Sequence, residues 1–158
     1  MSTDEFIHYK RHRFAARLPH HYQYTRAHTW LHEIGPNQWR VGLTGLATRM
    51  LGNIVEFGFE VKEGTPVQVG DVIGWIEGFK AVSDLYSVVS GSFLGANGPA
   101  LENPSWIDSK PHSDGWLYTA SGTAGPGNLD CTGYAEFLDR TIDRMLEKPW
   151  ESPGSETQ

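Results

Sequence analysis

The sequence predicts a mainly β fold with short helices and one C-terminal helix. Eighteen glycines and six tryptophans in 158 residues favour a turn-rich, strand-rich chain over a helical bundle. Apolar and polar side chains alternate along residues 55–61, and two apolar runs within residues 72–86 meet at a glycine-containing turn. From Tyr134 to Leu146 the apolar residues recur every three or four positions, which predicts an amphipathic helix.

The length accommodates one domain with a sizeable core. Residues 1–21 show no clear strand or helix period, so we expect a peripheral, irregular N-terminal arm. A single domain is predicted over residues 22–148, including the C-terminal helix. Residues 149–158 are polar and contain two prolines, and they predict a disordered tail.

Composition excludes several classes of function. A net charge of −6 and a pI of about 5.6 argue against a nucleic-acid-binding surface, which needs clustered Lys and Arg. An apolar span of roughly 20 residues, as a membrane helix requires, is absent, and charged residues interrupt any N-terminal signal core. One cysteine makes neither an internal disulfide nor a cysteine-rich metal site. We therefore expect a cytoplasmic protein that binds neither nucleic acid nor membrane.

The first half of the predicted domain contains a hairpin and a short helix. Tyr22 to Ile34 and Trp39 to Leu43 are expected to form the hairpin, with turn chemistry at residues 35–37. Thr44 is expected to cap the following helix through its side chain, and Gly52 to end it in a left-handed conformation.

The next strand shows the clearest alternation in the chain. Val55, Phe57, Phe59 and Val61 are expected to share one face, opposite a wet face of charged residues. Gly58 within this run predicts a bulge or a close approach by another backbone.

The sequence is organised around residues 72–86, VIGWIEGFKAVSDLY, which predict a hairpin with Lys80 at its tip. Gly78 is expected to take backbone angles that other residues resist. Phe79 is apolar at a position expected to face water, which is typical of a surface that another protein contacts. A lysine amine is ordinarily protonated at neutral pH, so acylating it needs an activated donor brought by a separate enzyme. We interpret Lys80 as a covalent attachment point.

A weak internal repeat surrounds this lysine. The segments PVQVGDVI from Pro66 and SVVSGSFL from Ser87 share a valine pair, a glycine and an apolar ending. Lys80 lies near the midpoint between them. The pattern is consistent with two similar half-units, although two short segments also match by chance.

Other candidate chemistry is weaker. His28 and His32 precede Glu33, but residues four apart on a strand are separated by roughly 13 Å and do not share a metal. Cys131 precedes a predicted helix without an implied base, and a structural thiol is the favoured interpretation. Ser83 and Asp84 lack a nucleophile-elbow pattern. No metal site and no catalytic residue are predicted.

Several ordered motifs resemble the H protein of the glycine cleavage system, a family of lipoyl carriers. They are YTRAHTW from Tyr24, VGLTGLATRMLGNIV from Val41, IEGFKAVSDLYSVVSG from Ile76, and ALENPSWID and DGWLY, which end at Tyr118. Together they cover about three-fifths of the chain, and the predicted C-terminal helix is in keeping with the family. The resemblance implies a lipoyl/biotinyl-type β-sandwich, also called a barrel-sandwich hybrid, made of two half-units.

The resemblance also implies a function. Lys80 is expected to carry lipoate covalently, flanked by Glu77 and Asp84, and the chain itself is not expected to be an enzyme. The carrier would take the aminomethyl group of glycine from a pyridoxal-phosphate glycine decarboxylase to a tetrahydrofolate-dependent aminomethyltransferase. Dihydrolipoamide dehydrogenase would reoxidise the arm, and a lipoyl ligase or octanoyltransferase would modify the lysine. Tethering raises the effective concentration of the arm near each partner.

Some positions depart from the family pattern. Thr29 stands where the family usually has glutamate, a carboxylate thought to hold the loaded arm in a surface cleft. Gly78, Phe79 and Asn53 also replace more usual residues, and EFGFEVKEG differs from the usual strand.

These departures leave two alternatives. One is an H-like lipoyl carrier for another pathway, such as sulfur-compound oxidation or lipoyl relay between enzymes. The other is an unmodified binding module that docks a partner through Phe79 and Tyr86. Biotin attachment is disfavoured, because biotin carriers favour methionines beside the lysine.

Overall fold

A computed structural model describes residues 5–147 of the chain. Eleven strands and four helices are formed within these residues. The strands are β1 (Phe6–Arg11), β2 (Phe14–Pro19), β3 (Gln23–Tyr24), β4 (Thr29–Gly35), β5 (Gln38–Leu43), β6 (Ile54–Phe59), β7 (Pro66–Val67), β8 (Val72–Gly78), β9 (Val82–Tyr86), β10 (Val89–Ala96) and β11 (Tyr118–Ala124). The helices are α1 (Gly45–Leu51), α2 (Gly98–Glu102), α3 (Trp106–Ser109) and α4 (Cys131–Glu147).

The strands form three antiparallel sheets. The largest has the order β3-β4-β5-β11-β10-β7, a smaller one has the order β6-β8-β9, and β1 pairs with β2 alone. Apolar side chains from both larger sheets fill one shared core, which includes Leu31, Val41, Ile73, Ile76 and Phe93. The predicted mainly β sandwich with a C-terminal helix is confirmed.

The expectation of an irregular arm over residues 1–21 is wrong for its described part, in which two strands form. Strands β1 and β2 pair in register from Phe6 with Pro19 to Arg11 with Phe14. Their inner face buries Tyr9, Phe14 and Leu18, which alternate with exposed positions as a half-buried strand requires. Each strand is only six residues long and carries charged residues such as Lys10 and Arg17, which obscured this period in the sequence. We refer to this element as the N-terminal hairpin.

Helix α4 holds the N-terminal hairpin against the domain. Its buried face contributes Cys131, Tyr134, Leu138 and Ile142 to a second core that also contains Tyr9, Phe14 and Leu18. At the rim, the guanidinium of Arg11 donates to both carboxylate oxygens of Asp143 at 2.9 and 2.8 Å. The predicted helix is confirmed over Tyr134 to Leu146 and begins three residues earlier, although Met145 at its end is exposed rather than inward. The predicted tail, residues 149–158, lies outside the described residues.

A bulge changes which side chains of β6 face the core. Its pairing with β8 shifts between Ile54 and Glu56, so Val55 is 41% exposed while Ile54 and Phe57 are buried. The predicted alternation is therefore wrong at Val55. At Gly58, a Cβ would lie 3.0 Å from the Trp75 side chain, so the close approach predicted there comes from an indole rather than a backbone.

The predicted cap of α1 is wrong in its mechanism. The side chain of Thr44 makes no capping bond to the helix, and its Oγ1 lies 2.8 Å from the hydroxyl of Tyr134 on α4. The same hydroxyl lies 2.8 Å from Nδ1 of buried His28. These bonds join the start of α1, the turn before β4 and α4 through three buried polar groups. Gly52 ends α1 with the positive φ that was predicted, 80°, but its ψ of −174° lies outside the left-handed helical region.

Among residues 5–147, no helix combines the length and apolar character that crossing a bilayer requires.

We expect the burial of His28 to make stability depend on pH. Desolvation lowers the pKa of its imidazole to about 4, below the 6.5 of an exposed histidine. Between these values the unfolded chain binds a proton that the folded chain does not, so stability falls as pH decreases from 6.5 to 4. The loss is on the order of 3 kcal/mol, and it should appear in urea unfolding measured across this range.

His28→Asn is the matched variant, since asparagine tolerates the φ of 70° found at this position and does not titrate. The stability of this variant should depend less steeply on pH than that of the wild type. Equal slopes in the two proteins would contradict the prediction.

Candidate functional site

Strands β8 and β9 present Lys80 at the tip of a tight hairpin. Glu77 pairs with Val82 at the end of the ladder, and the amide of Gly78 donates to the carbonyl of Ala81 at 2.9 Å. Phe79, Lys80 and Ala81 therefore form the turn. Phe79 is 79% exposed and Lys80 is exposed beside it. The structure thus places the predicted attachment residue at the predicted hairpin tip.

The end of α1 fixes this tip in place. The amide of Lys80 donates to the carbonyl of Leu51 at 2.8 Å, and the amide of Phe79 donates to that of Asn53 at 3.0 Å. Two backbone bonds thus tie the turn to an element outside its own hairpin, which limits movement of the lysine backbone.

Gly78 allows this close approach, and the reason predicted for this glycine is wrong. Gly78 is not among the described glycines with positive φ, so an unusual backbone angle does not select it. A Cβ at this position would instead clash with the carbonyl of Leu51. The absence of a side chain lets the hairpin dock on α1.

The amine of Lys80 makes no hydrogen bond or ion pair with any of residues 5–147. Glu77 on β8 and Asp84 on β9 were predicted to flank this amine. Among residues 5–147, neither carboxylate forms an ion pair with it. Glu77 is half-buried, whereas Asp84 is exposed and opposite Trp75 in the ladder. The side chain of Lys80 is therefore exposed, and its amine has no partner among residues 5–147.

One cleft beside the hairpin contains both Asp84 and Thr29. It has a volume of about 280 Å³, and its walls come from β4, β5, α1 and β9. Asp84 is its one charged residue among the described lining residues, and Ala27 and Thr29 lie on the same cleft. We call it the Asp84 cleft. The structure thus brings together the carboxylate and the threonine that the sequence singled out separately.

A larger groove opens on the other side of Lys80. Its volume is about 760 Å³, and we call it the N-terminal groove because β2 forms one wall. It is lined by Phe14, Ala15, Ala16, Arg17, Gly45, Thr48, Arg49, Gly52, Asn53, Phe79, Lys80, Asp108, Ser109, Pro111 and His112. Sequence reasoning missed this groove, since its wall was taken for an irregular arm. The alternation of Phe14, Ala16 and Leu18 was the signal that predicts the strand.

Apolar side chains surround the tip. Phe79, Val82 and Tyr86 are 79%, 68% and 46% exposed, and Met50 on α1 is 42% exposed. Large apolar side chains grouped at a surface are typical of sites that contact another protein. Phe79 and Tyr86 are both available for the docking that the sequence suggested.

The remaining candidate residues have structural surroundings. His28 is bonded to Tyr134, whereas the ring of His32 stacks on Tyr22 at 4.6 Å between centroids. The thiol of Cys131 is buried and donates to the carbonyl of Leu18 at 3.2 Å. Desolvation raises the pKa of this thiol, which opposes the thiolate that a nucleophile requires. Ser83 Oγ donates to the backbone carbonyl of Asp84.

Comparison with known proteins finds similarity over the part of the chain that contains Lys80. Residues 22–124 match the family described as Glycine cleavage H-protein. A glycine cleavage system H protein of Rubrobacter xylanophilus is 38% identical over 125 residues, which cover 78% of this chain and 97% of the relative. Its counterpart in Kocuria rhizophila is 34% identical over 126 residues, covering 77% and 98%. A crystal structure of a glycine cleavage system H protein from Mycobacterium marinum matches with a TM-score of 0.67 at 31% identity, covering 75% of this chain and 97% of that one.

A β-sandwich that holds one open lysine at a hairpin tip defines the class of the protein as a carrier domain. The chain belongs to the glycine cleavage H-protein family. The family predicted from the sequence is confirmed, and with it the assignment to a carrier component of glycine cleavage. The N-terminal hairpin and α4 lie outside residues 22–124, which match the family model.

We expect Gly78→Ala to destabilise the protein and displace the lysine turn. The added methyl group meets a backbone carbonyl that has no room to move, and such overpacking costs about 1–3 kcal/mol. Urea unfolding measures this loss. Gly35→Ala is the control, because a Cβ there meets only the flexible side chain of Gln38, at 3.4 Å or more. The control should stay within about 0.5 kcal/mol of the wild type; a similar loss in both variants would contradict the account of Gly78.

Proposed function

We propose that Lys80 is the attachment point of a lipoyl group and that the chain is the lipoyl carrier of glycine cleavage, without catalysing a reaction of its own. The observation that supports this best is the open amine of Lys80 on a fixed hairpin, in a chain that belongs to the H-protein family. The residues fit such a group, because the amine has no hydrogen-bond or ion-pair partner among residues 5–147, Lys80 lines one groove, and its neighbour Ala81 lines a second cleft.

When bound, a lipoyl group supplies a disulfide that accepts the aminomethyl cargo and is later reoxidised. The chain contributes position and surroundings. Backbone bonds to Leu51 and Asn53 hold the turn, so the reach of the arm is measured from a fixed point. Confining the arm in this way raises its effective concentration at each partner.

We assign to Asp84 the role of binding the aminomethyl cargo. An aminomethyl group carries a cationic amine, and a carboxylate favours such a cation by charge-assisted hydrogen bonding. Asp84 lines a cleft whose other described walls are neutral, and Thr29 adds a hydroxyl acceptor without charge. Glu77 does not line this cleft, so its part is confined to recognition of the hairpin by the modifying enzyme.

The partners follow from this assignment. They are the pyridoxal-phosphate glycine decarboxylase, the tetrahydrofolate-dependent aminomethyltransferase and dihydrolipoamide dehydrogenase, with a lipoyl ligase or octanoyltransferase for attachment. The exposed side chains of Phe79 and Val82 at the tip provide an apolar surface that these enzymes contact in turn. We propose that the carrier acts in the cytoplasm, because the composition of the sequence favours that compartment.

One observation favours a second function. Asp84 is the sole charged residue among the described residues that line the cleft, since Thr29 replaces a second carboxylate. A cleft with less negative charge binds a cationic cargo less well. This favours an H-like lipoyl carrier for another pathway, in which the same lysine serves a cargo without positive charge.

Intact mass of the protein purified from its own host tests the attachment. We expect an increment equal to one lipoyl group, lost in Lys80→Arg because arginine is not acylated. Lys62→Arg, at another exposed lysine, should keep the increment. An unmodified wild-type protein under lipoate-replete conditions would overturn the proposal and favour the unmodified binding module.

Isotope exchange tests the cargo. Lipoylated protein mixed with the decarboxylase, glycine and labelled bicarbonate should support exchange of the glycine carboxyl carbon. Asp84→Asn should slow it severalfold at low carrier concentration, because an exposed carboxylate contributes up to about 1 kcal/mol to an ion pair. Glu60→Gln, at an exposed carboxylate that lines neither concavity, should exchange at the wild-type rate. Absence of exchange with a lipoylated wild type would favour the carrier of another pathway.

A further inference from the structure

The N-terminal groove is built partly by an element outside the family match. Its wall is β2, through Ala15, Ala16 and Arg17, and its floor is α1, through Thr48. Strand β2 precedes residue 22, where the match to the family begins. The hairpin is held firmly by its buried residues and by the Arg11–Asp143 ion pair. The groove is therefore a formed feature of this chain.

Lys80 lines the N-terminal groove rather than the Asp84 cleft. Its side chain passes over Gly52, where a Cβ would lie 3.0 Å from the Lys80 Cγ and 3.4 Å from its Cβ. Phe79 lines the same groove, whereas Ala81 and Val82 line the Asp84 cleft. The first residues of the turn therefore line the N-terminal groove, and the residues that follow line the Asp84 cleft. The side chain of Lys80 begins on the groove side.

The chemistry of the groove suits a neutral arm. It combines apolar surface from Phe14 and Phe79 with hydrogen-bonding groups on Thr48 and Ser109, matching a chain of methylenes that follows one amide. At about 760 Å³ it is more than twice the size of the Asp84 cleft at about 280 Å³. It lies within the range of volumes common for small-molecule sites.

The charges of the groove disfavour a cation. Arg17 and Arg49 contribute two positive charges against the single carboxylate of Asp108, and an acylated Lys80 contributes none. The guanidinium of Arg49 lies 6.0 Å from the ring of Phe14, another residue that lines the groove. Desolvation lowers the pKa of His112 to about 4, so this neighbour is neutral at pH 7. A cationic cargo is repelled here and attracted by Asp84.

We propose that the N-terminal groove is the seat of the unloaded lipoyl arm, on the side of the turn opposite the Asp84 cleft, which holds the cationic cargo under the proposed function. The proposal rests on the lipoylation of Lys80 proposed above. It assigns the N-terminal hairpin a role in sheltering the free dithiolane between visits to the partner enzymes.

Cysteine trapping distinguishes the two seats. Ser109→Cys places a thiol in the N-terminal groove, and Ser83→Cys places one in the Asp84 cleft, both at exposed serines. The thiolate attacks the dithiolane, a mixed disulfide forms, and one lipoyl sulfur leaves as a thiol, which a maleimide added after a timed interval caps. Peptide mapping by mass spectrometry then quantifies the cross-link.

In the unloaded protein we expect severalfold more cross-link with Ser109→Cys than with Ser83→Cys. An equal yield of cross-link in the two variants, or a higher yield with Ser83→Cys, would overturn the proposal that the unloaded arm lies in the N-terminal groove. The intact mass of the protein is measured first, to show whether Lys80 is lipoylated. A protein without the lipoyl increment overturns both proposals. A lipoylated protein that fails the trapping test overturns only the proposal about the N-terminal groove.

A second pair of variants needs no introduced thiol. Ala15→Trp fills the N-terminal groove and Ala27→Trp fills the Asp84 cleft, both at exposed alanines. Reduction of the unloaded dithiolane by a water-soluble phosphine should be faster in Ala15→Trp, because the arm is displaced into solvent. It should be unchanged in Ala27→Trp. Equal rates in the wild type and Ala15→Trp overturn the proposal.

Discussion

The contact between the lysine turn and the end of α1 is the constraint on which the site depends. The carbonyls of Leu51 and Asn53 accept the amides of Lys80 and Phe79, and Gly78 leaves the room that this approach requires. A two-stranded hairpin alone is marginally stable in water. Docking on a second element gives the lysine a defined origin, and a carrier needs that origin if its arm is to reach several partners.

The position of α1 depends in turn on a buried polar network. Thr44 precedes the helix and is bonded to Tyr134, which is bonded to His28. Buried polar groups of this kind are favourable only while each has its partner. The network therefore links α4 to the lysine turn through α1, although α4 is far from the turn in sequence. The C-terminal helix supports the site without lining it.

Much of the fold and the position of Lys80 at a hairpin tip could be predicted from the sequence, because they depend on local patterns. Alternation located the strands near Trp39 and Phe57, helical spacing located α4, and turn chemistry located Lys80. The features that were wrong depend on contacts between distant residues. The role of Gly78 is set by the carbonyl of Leu51, and the side chain of Thr44 is engaged by Tyr134 rather than by its own helix.

The concavities beside Lys80 were the least predictable features, because each is assembled from several elements. Thr29 and Asp84 are 55 positions apart and meet in one cleft, while the opposite groove needs β2, α1 and α3 together. Three positions at which the sequence departs from the family pattern lie on these surfaces: Thr29 in the cleft, and Asn53 and Phe79 in the groove. Gly78, a further departure, lies in the contact with Leu51 itself, so the departures affect both the docking of the turn and the two surfaces beside it. Under the proposed lipoylation of Lys80, these departures bear on how firmly the turn is held and on which surface the arm contacts.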